Sequence, residues 1–204
     1  MTEHQGHVKP FETRTPFYAL LEFETANESV LESAMALFET CVEEGWVLDG
    51  VLSQSLAQAK ALWKLREDIS ETLWHWQPYK NDISVRVSRM PDFLREVDEL
   101  VAGRYPDFEV IWYGHIGDGN LHLNILRPEI LSNEEFVAKC GTVSAEIGQL
   151  LAKYEGSISA EHGVGLLKKE YLHYSRSPLE IKLMREIKKV FDPNLILNPG
   201  KLFD

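Results

Sequence analysis

Hydrophobic and polar positions change their period several times along the chain. Residues 17–23, FYALLEF, follow Pro16 and are rich in aromatic and aliphatic side chains, which reads as a strand. After Asn27, apolar side chains at 30, 31, 34, 35, 38, 41 and 42 follow helical spacing, and Gly45 ends that run. Residues 46–52 read as a second short strand. Residues 54–75 read as one long helix, with Leu56, Ala59, Leu62, Trp63, Ile69 and Leu73 near one face, stopped by Pro78. A strand at 82–87 and a helix at 91–100 follow, the latter closed by Gly103 and Pro106. Residues 108–114 and 121–126 are strands joined by the turn residues Gly117, Asp118, Gly119 and Asn120. Ser132 and Glu135 form a capping box that opens a helix to Tyr154. Residues 156–165 are a small-residue loop with room for a short strand. Ser177, Pro178 and Glu180 open a last helix through Phe191, which stops near Pro193.

Strands mixed with helices, with at least one hairpin, predict an α+β fold: a largely antiparallel sheet with helices on one face. The 204 residues suffice for a sizeable core, and the 44% apolar and 26% charged content is that of an ordinary globular protein. No run approaches the 18 apolar residues of a membrane span, and the polar first residues show no signal-peptide core. Cys41 and Cys140 fall in predicted helices and read as buried free thiols of a reducing compartment. Lys and Arg total 21 against 32 Asp and Glu, a net charge of −11. Nucleic acid and anionic membranes reward basic surfaces, so neither is an expected partner.

The densest chemistry lies in YGHIGDGNLHLN, residues 113–124. A turn centred on Asp118 and Gly119 places His115 opposite His122. Facing Cβ atoms in an antiparallel pair are roughly 4.5–5.5 Å apart, close enough for two imidazoles to share a metal ion. Asn124 points to the same face as His122. Histidines on a hairpin serve equally as surface or satisfied core residues, so the pair alone leaves both readings open. The segment is not a dinucleotide-binding fingerprint, because a strand rather than a helix follows its glycines. In SISAEHGVG, residues 157–165, Glu161 could complete a His, His, carboxylate set, leaving His162 to act on a substrate. A salt-bridged loop is the plain alternative. Arg66 and Ser70 lie four apart on one helical face, with Lys80 beyond them; a solvated helix surface explains that pattern as simply.

Five ordered segments, FYALLEFE, ALWKLRE, YGHIGDGNLHLNI, GSISAEHGVG and FDPNLILNPGKLF, together give a specific resemblance. From about Pro16 to Phe203 the chain resembles the C-terminal domain of FAD-linked oxidases and dehydrogenases of the vanillyl-alcohol-oxidase type. The resemblance is nearest to the D-2-hydroxyglutarate dehydrogenase, D-lactate dehydrogenase and glycolate oxidase branch. It implies a ferredoxin-like α+β domain over residues 16–204 after a lead-in at 1–15, with the FAD-binding domain absent from this chain.

The resemblance further implies that His115, His122 and Glu161 bind a divalent metal, zinc being the expected ion. It assigns substrate contact to Arg66, Ser70, Lys80, Asn124 and His162, with His162 as general base, and it makes Asn198 a flavin contact. Ser70 stands where threonine is expected in the hydroxyglutarate enzymes, which keeps a hydroxyl but leaves the substrate open. The implied reaction is FAD-dependent oxidation of a D-2-hydroxy acid to the 2-oxo acid. The implied location is the cytoplasm, or the mitochondrial matrix in a eukaryote, and a homodimer is compatible with it. Two other readings use the same residues: a metal- or organic-acid-binding module without turnover, and a structural α+β domain whose histidines are incidental.

Overall fold

A computed structural model describes residues 1–24 and 27–203. Asp204, the end of the expected domain, lies outside them. The chain divides into two compact units, Met1–His75 and the remainder from Trp76 on.

Among the described residues the first unit carries three α-helices, α1 (Glu28–Glu43), α2 (Leu56–Glu67) and α3 (Ile69–Leu73). Gly45, at φ +72°, ends α1: the Gly45 amide donates to the Val42 carbonyl, and the amides of Trp46 and Val47 both donate to the Cys41 carbonyl. Ser55 caps α2 by accepting the Gln58 amide. The long helix expected at 54–75 is broken at Asp68, whose ψ of −1° ends one helix and starts the next. The two strands expected at 17–23 and 46–52 are absent: among the described residues neither segment takes regular structure or pairs in a ladder. Their aromatic content signalled strands, but a strand exists only when a neighbour takes up its N–H and C=O groups. Phe17 and Trp46 are 82% and 73% exposed.

The second unit is built on one antiparallel sheet in the order β1-β3-β2, with β1 (Tyr79–Ser84), β2 (Val110–His115) and β3 (Asn120–Ile125). Among its described residues it carries three α-helices, α4 (Met90–Arg104), α5 (Asn133–Lys153) and α6 (Pro178–Phe191). The expected α+β class with an antiparallel sheet is found. The first strand begins three residues earlier than the 82–87 expected, because the chain pairs from Tyr79 and leaves the ladder after Ser84. The helix expected at 91–100 extends over Met90–Arg104 with Pro91 in its first turn. Both capping boxes form: Ser132 with Glu135 on α5, and Ser177 with Glu180 on α6.

Alternation gives the sheet two different faces. Ile83, Leu121, Leu123 and Ile125 point towards the helices and are buried. They join Met90, Phe93, Val97 and Val101, one stripe of α4, and Phe136, Cys140, Val143, Ile147 and Leu151, one stripe of α5. Burying a side chain of this size is worth about 1.5–3 kcal/mol, so this layer holds the sheet flat against its helices. Asn81, a polar residue on that side, accepts from Ser144 Oγ at 3.1 Å, and the Tyr79 hydroxyl lies 3.2 Å from the same Oγ. The opposite face is polar. It forms three cross-strand rows: Ser84, Asn120, His115; Asp82, His122, Tyr113; and Lys80, Asn124, Ile111.

Cys140 is buried, as expected, but Cys41 is half-buried. Both are free thiols.

Candidate metal centre

The hairpin register differs from the expected one. The turn is centred between Gly117 and Asp118, so His115 pairs with Asn120 and His122 pairs with Tyr113. The Asp118 side chain sets this turn. Its carboxylate accepts the Asn120 amide at 3.0 Å while its own amide donates to the His115 carbonyl. Gly119 sits at φ +79°, and its carbonyl accepts the Val85 amide at 3.1 Å. A Cβ there would overlap the Val85 carbonyl, so the turn chemistry and the close approach both require glycine. The shift amounts to two residues in pairing, which preserves the face each side chain occupies. The histidines therefore remain on one face, as diagonal rather than facing neighbours, with ring centroids 6.3 Å apart.

The loop after α5 supplies the third group. Ser84 and Ser157 exchange backbone hydrogen bonds, which fastens the start of the loop to the edge of β1. The chain then crosses the polar face and brings the Glu161 Oε1 atom 3.1 Å from His115 Nδ1. Asn120 Nδ2 also donates to that oxygen. One ligand atom from each of His115, His122 and Glu161 lies within 4.8 Å of the others. Donor atoms around a tetrahedral zinc stand ~3.3 Å apart, so the three groups would close up to seat an ion. His122 is 8% exposed, while His115 and Glu161 are exposed at the rim.

Behind the triad lies Asp82, the cross-strand partner of His122. Its Oδ2 accepts the amides of Glu161 and His162 at 3.2 and 3.1 Å, and contacts Lys168 Nζ and Ser159 Oγ, each at 3.4 Å. Its Oδ1 lies 3.5 Å from His122 Nδ1, and its Oδ2 lies 3.6 Å from His162 Nδ1. Burial pushes the Asp82 carboxyl up. The His162 amide, Lys168, the Glu161 amide and His162 outweigh it, so the group sits below the ordinary carboxylate range. Lys168 is pushed down by burial, against the pull of Asp82.

The residues fit a divalent cation. Two imidazoles and a carboxylate form a common donor set for zinc, and a metal-bound histidine usually gives its other ring nitrogen to a carboxylate. Asp82 Oδ1 occupies that place behind His122. It makes no hydrogen bond among the described residues although it is buried.

The other expected site residues fall in different places. His162 follows Glu161, is largely exposed, and stacks beside His122 at 5.8 Å between centroids. Lys80 and Asn124 share a row of the polar face, one step from His122. Asn124 is 0% exposed; its Nδ2 donates to the His122 carbonyl at 3.3 Å and its Oδ1 makes no hydrogen bond among the described residues. Arg66 and Ser70 belong to the first unit, in the last turn of α2 and the first turn of α3. Asn198 lies beyond α6 at φ +47°, its carbonyl accepting the Lys201 amide. Asp82, Asn120 and Lys168 were not among the expected site residues; Asn120 was expected only as a turn residue. Asp82 had a signal, an acidic residue inside a strand, where Asp is disfavoured. Lys168 had none.

The chain belongs to the FAD linked oxidases, C-terminal domain family, whose pattern it matches over residues 1–202. It is 62% identical over 194 residues to a D-2-hydroxyglutarate dehydrogenase of Stutzerimonas stutzeri, covering 95% of this chain and 42% of that protein. It is 56% identical over 199 residues to a D-2-hydroxyglutarate dehydrogenase of Xanthomonas citri, covering 98% of this chain and 42% of that protein. A mitochondrial D-2-hydroxyglutarate dehydrogenase of Arabidopsis thaliana is 38% identical over 200 residues, covering 97% of this chain and 34% of that protein. The chain thus spans about two fifths or less of the length of these curated relatives. Among the described residues, no helix is long and apolar enough to cross a membrane.

Proposed function

We propose that this chain is the substrate- and metal-binding part of an FAD-dependent dehydrogenase that oxidises a D-2-hydroxy acid, such as D-2-hydroxyglutarate or D-lactate, to the 2-oxo acid. The observation that carries the reading is the convergence of His115, His122 and Glu161 beside His162 in a chain of the FAD-linked oxidase family.

When bound, the divalent metal supplies Lewis acidity at the substrate's hydroxyl and the flavin supplies the two-electron acceptor. His115, His122 and Glu161 hold the ion. His162 takes the hydroxyl proton as the C2 hydrogen leaves with its electron pair. Asp82 lies beside its Nδ1, which leaves Nε2 as the accepting nitrogen. Lys80 offers an ammonium to a substrate carboxylate, whereas Asn124, fully buried, is a substrate contact by the resemblance alone. Arg66 and Ser70 as substrate contacts, and Asn198 as a flavin contact, rest on the resemblance alone. The expected location is the cytoplasm, or the mitochondrial matrix in a eukaryote; the mitochondrial Arabidopsis relative supports only the second.

The test joins the chain to its flavin-binding portion and assays D-2-hydroxy acids with an artificial electron acceptor, with and without chelator. Turnover that chelation abolishes and zinc restores, and that His162→Ala removes, is expected. Turnover indifferent to both the chelator and the substitution would overturn the reading.

A further inference from the structure

We infer that Asp82 is the positioning residue of this site: one buried carboxylate that sets the orientation of His122 through one oxygen and the placement of Glu161 and His162 through the other. The inference deepens the metal-site reading and rests on it.

The two oxygens of Asp82 have different surroundings. Oδ2 is crowded with donors: two consecutive loop amides, Lys168 Nζ and Ser159 Oγ. Those contacts fix the loop backbone at the residues that present Glu161 and His162. A purely structural pin would be complete with them. Oδ1 is buried and makes no hydrogen bond among the described residues, yet lies 3.5 Å from His122 Nδ1. A buried acceptor left in that state is unfavourable, so its position calls for a donor. His122 supplies one when its N–H is on Nδ1, and that tautomer leaves the Nε2 lone pair for a metal. The β1–β3 register places the two side chains as direct cross-strand partners, so the contact is built into the sheet rather than into the loop.

This arrangement separates the work of the two oxygens. Removing the partners of Oδ2 loosens the loop but leaves Oδ1 facing His122. Removing the Asp82 charge weakens both. Zinc and cobalt affinities of the full 204-residue chain, measured by competition with a chromophoric chelator, read the difference. Asp82→Asn should weaken binding roughly 10- to 100-fold and alter the cobalt ligand-field spectrum. Lys168→Met should change the affinity much less and leave that spectrum unchanged. Equal losses in both variants would reduce Asp82 to a loop pin and overturn the inference. So would wild-type affinity in Asp82→Asn. If Asp82→Asn does not fold, the nitrogen-15 shifts of His122 in the zinc-loaded wild-type chain decide. Protonated Nδ1 with ligated Nε2 supports the assignment, and ligation through Nδ1 overturns it. A wild-type chain that binds neither metal fails the underlying site reading, an outcome distinct from either result above.

Discussion

His115 and His122 stand diagonally across one hairpin, on the same face of the sheet, with ring centroids 6.3 Å apart and ring planes nearly perpendicular at 82°. The residue opposite His115 is Asn120, and that pairing gives the hairpin a second function. The Asn120 amide reaches the carboxylate oxygen of Glu161 that also meets His115. Asn120 thus holds the exposed rim ligand in place. Asn120→Ala should leave the triad intact but weaken zinc binding by roughly tenfold or more, measured by chelator competition. Asn120→Asp should weaken it further, because a second carboxylate would repel Glu161.

The turn that creates this diagonal depends on Gly119. An alanine there would be strained at φ +79°, and its Cβ would overlap the Val85 carbonyl. Gly119→Ala should cost about 2 kcal/mol or more and lower the midpoint of thermal unfolding by several degrees, read by circular dichroism. Gly117→Ala makes the control: at Gly117 a Cβ would meet nothing within 4 Å.

The two thiols should separate cleanly in a native-state titration. Cys140 is buried, and burial pushes its thiol up to about 11 against the hydrogen bond from Tyr105. It is therefore both inaccessible and un-ionised at pH 8. Ellman's reagent at pH 8 should count one thiol in the native chain, that of the half-buried Cys41, and two in guanidinium chloride. Cys41→Ser should remove the native signal.

Asp192 predicts a local acid response. Lys188 donates to its carboxylate at 2.8 Å and, with the amides of Ile196 and Leu197, outweighs burial to hold the group below the ordinary carboxylate range. A carboxyl depressed in the folded state contributes stability above its unfolded value, near 3.9, and loses it as pH falls through the folded value. The amides of Ile196 and Leu197 should be protected from hydrogen exchange at pH 5 and lose that protection in stronger acid. In Asp192→Asn the protection should be weaker at pH 5 and nearly independent of pH.

Local chemistry explains which elements could be read before the structure. The capping boxes at Ser132 and Ser177 name their own helices, because the side chains that stop fraying lie within three residues of each other. The face of each hairpin histidine was legible too, since alternation survives a two-residue change of register. The register itself was not, because it depends on Asp118 accepting the Asn120 amide, one of several turns the same glycines allow. Phe17 and Trp46 misled in the other direction: their residue types favour strands, but no local signal says whether a partner strand is within reach. Asp82 could be seen as an odd acid in a strand. Its two-sided contact with His122 and with the amides of Glu161 and His162 spans some eighty residues of sequence, and only the fold brings those groups together.

The most direct test is the metal content of the chain itself. After exhaustive chelation, equilibrium dialysis against zinc followed by elemental analysis should return about one ion per chain. His115→Ala, His122→Ala and Glu161→Ala, each shown to be folded, should lose that ion. A wild-type chain that retains no zinc, or folded His122→Ala that retains as much as wild type, would contradict the account.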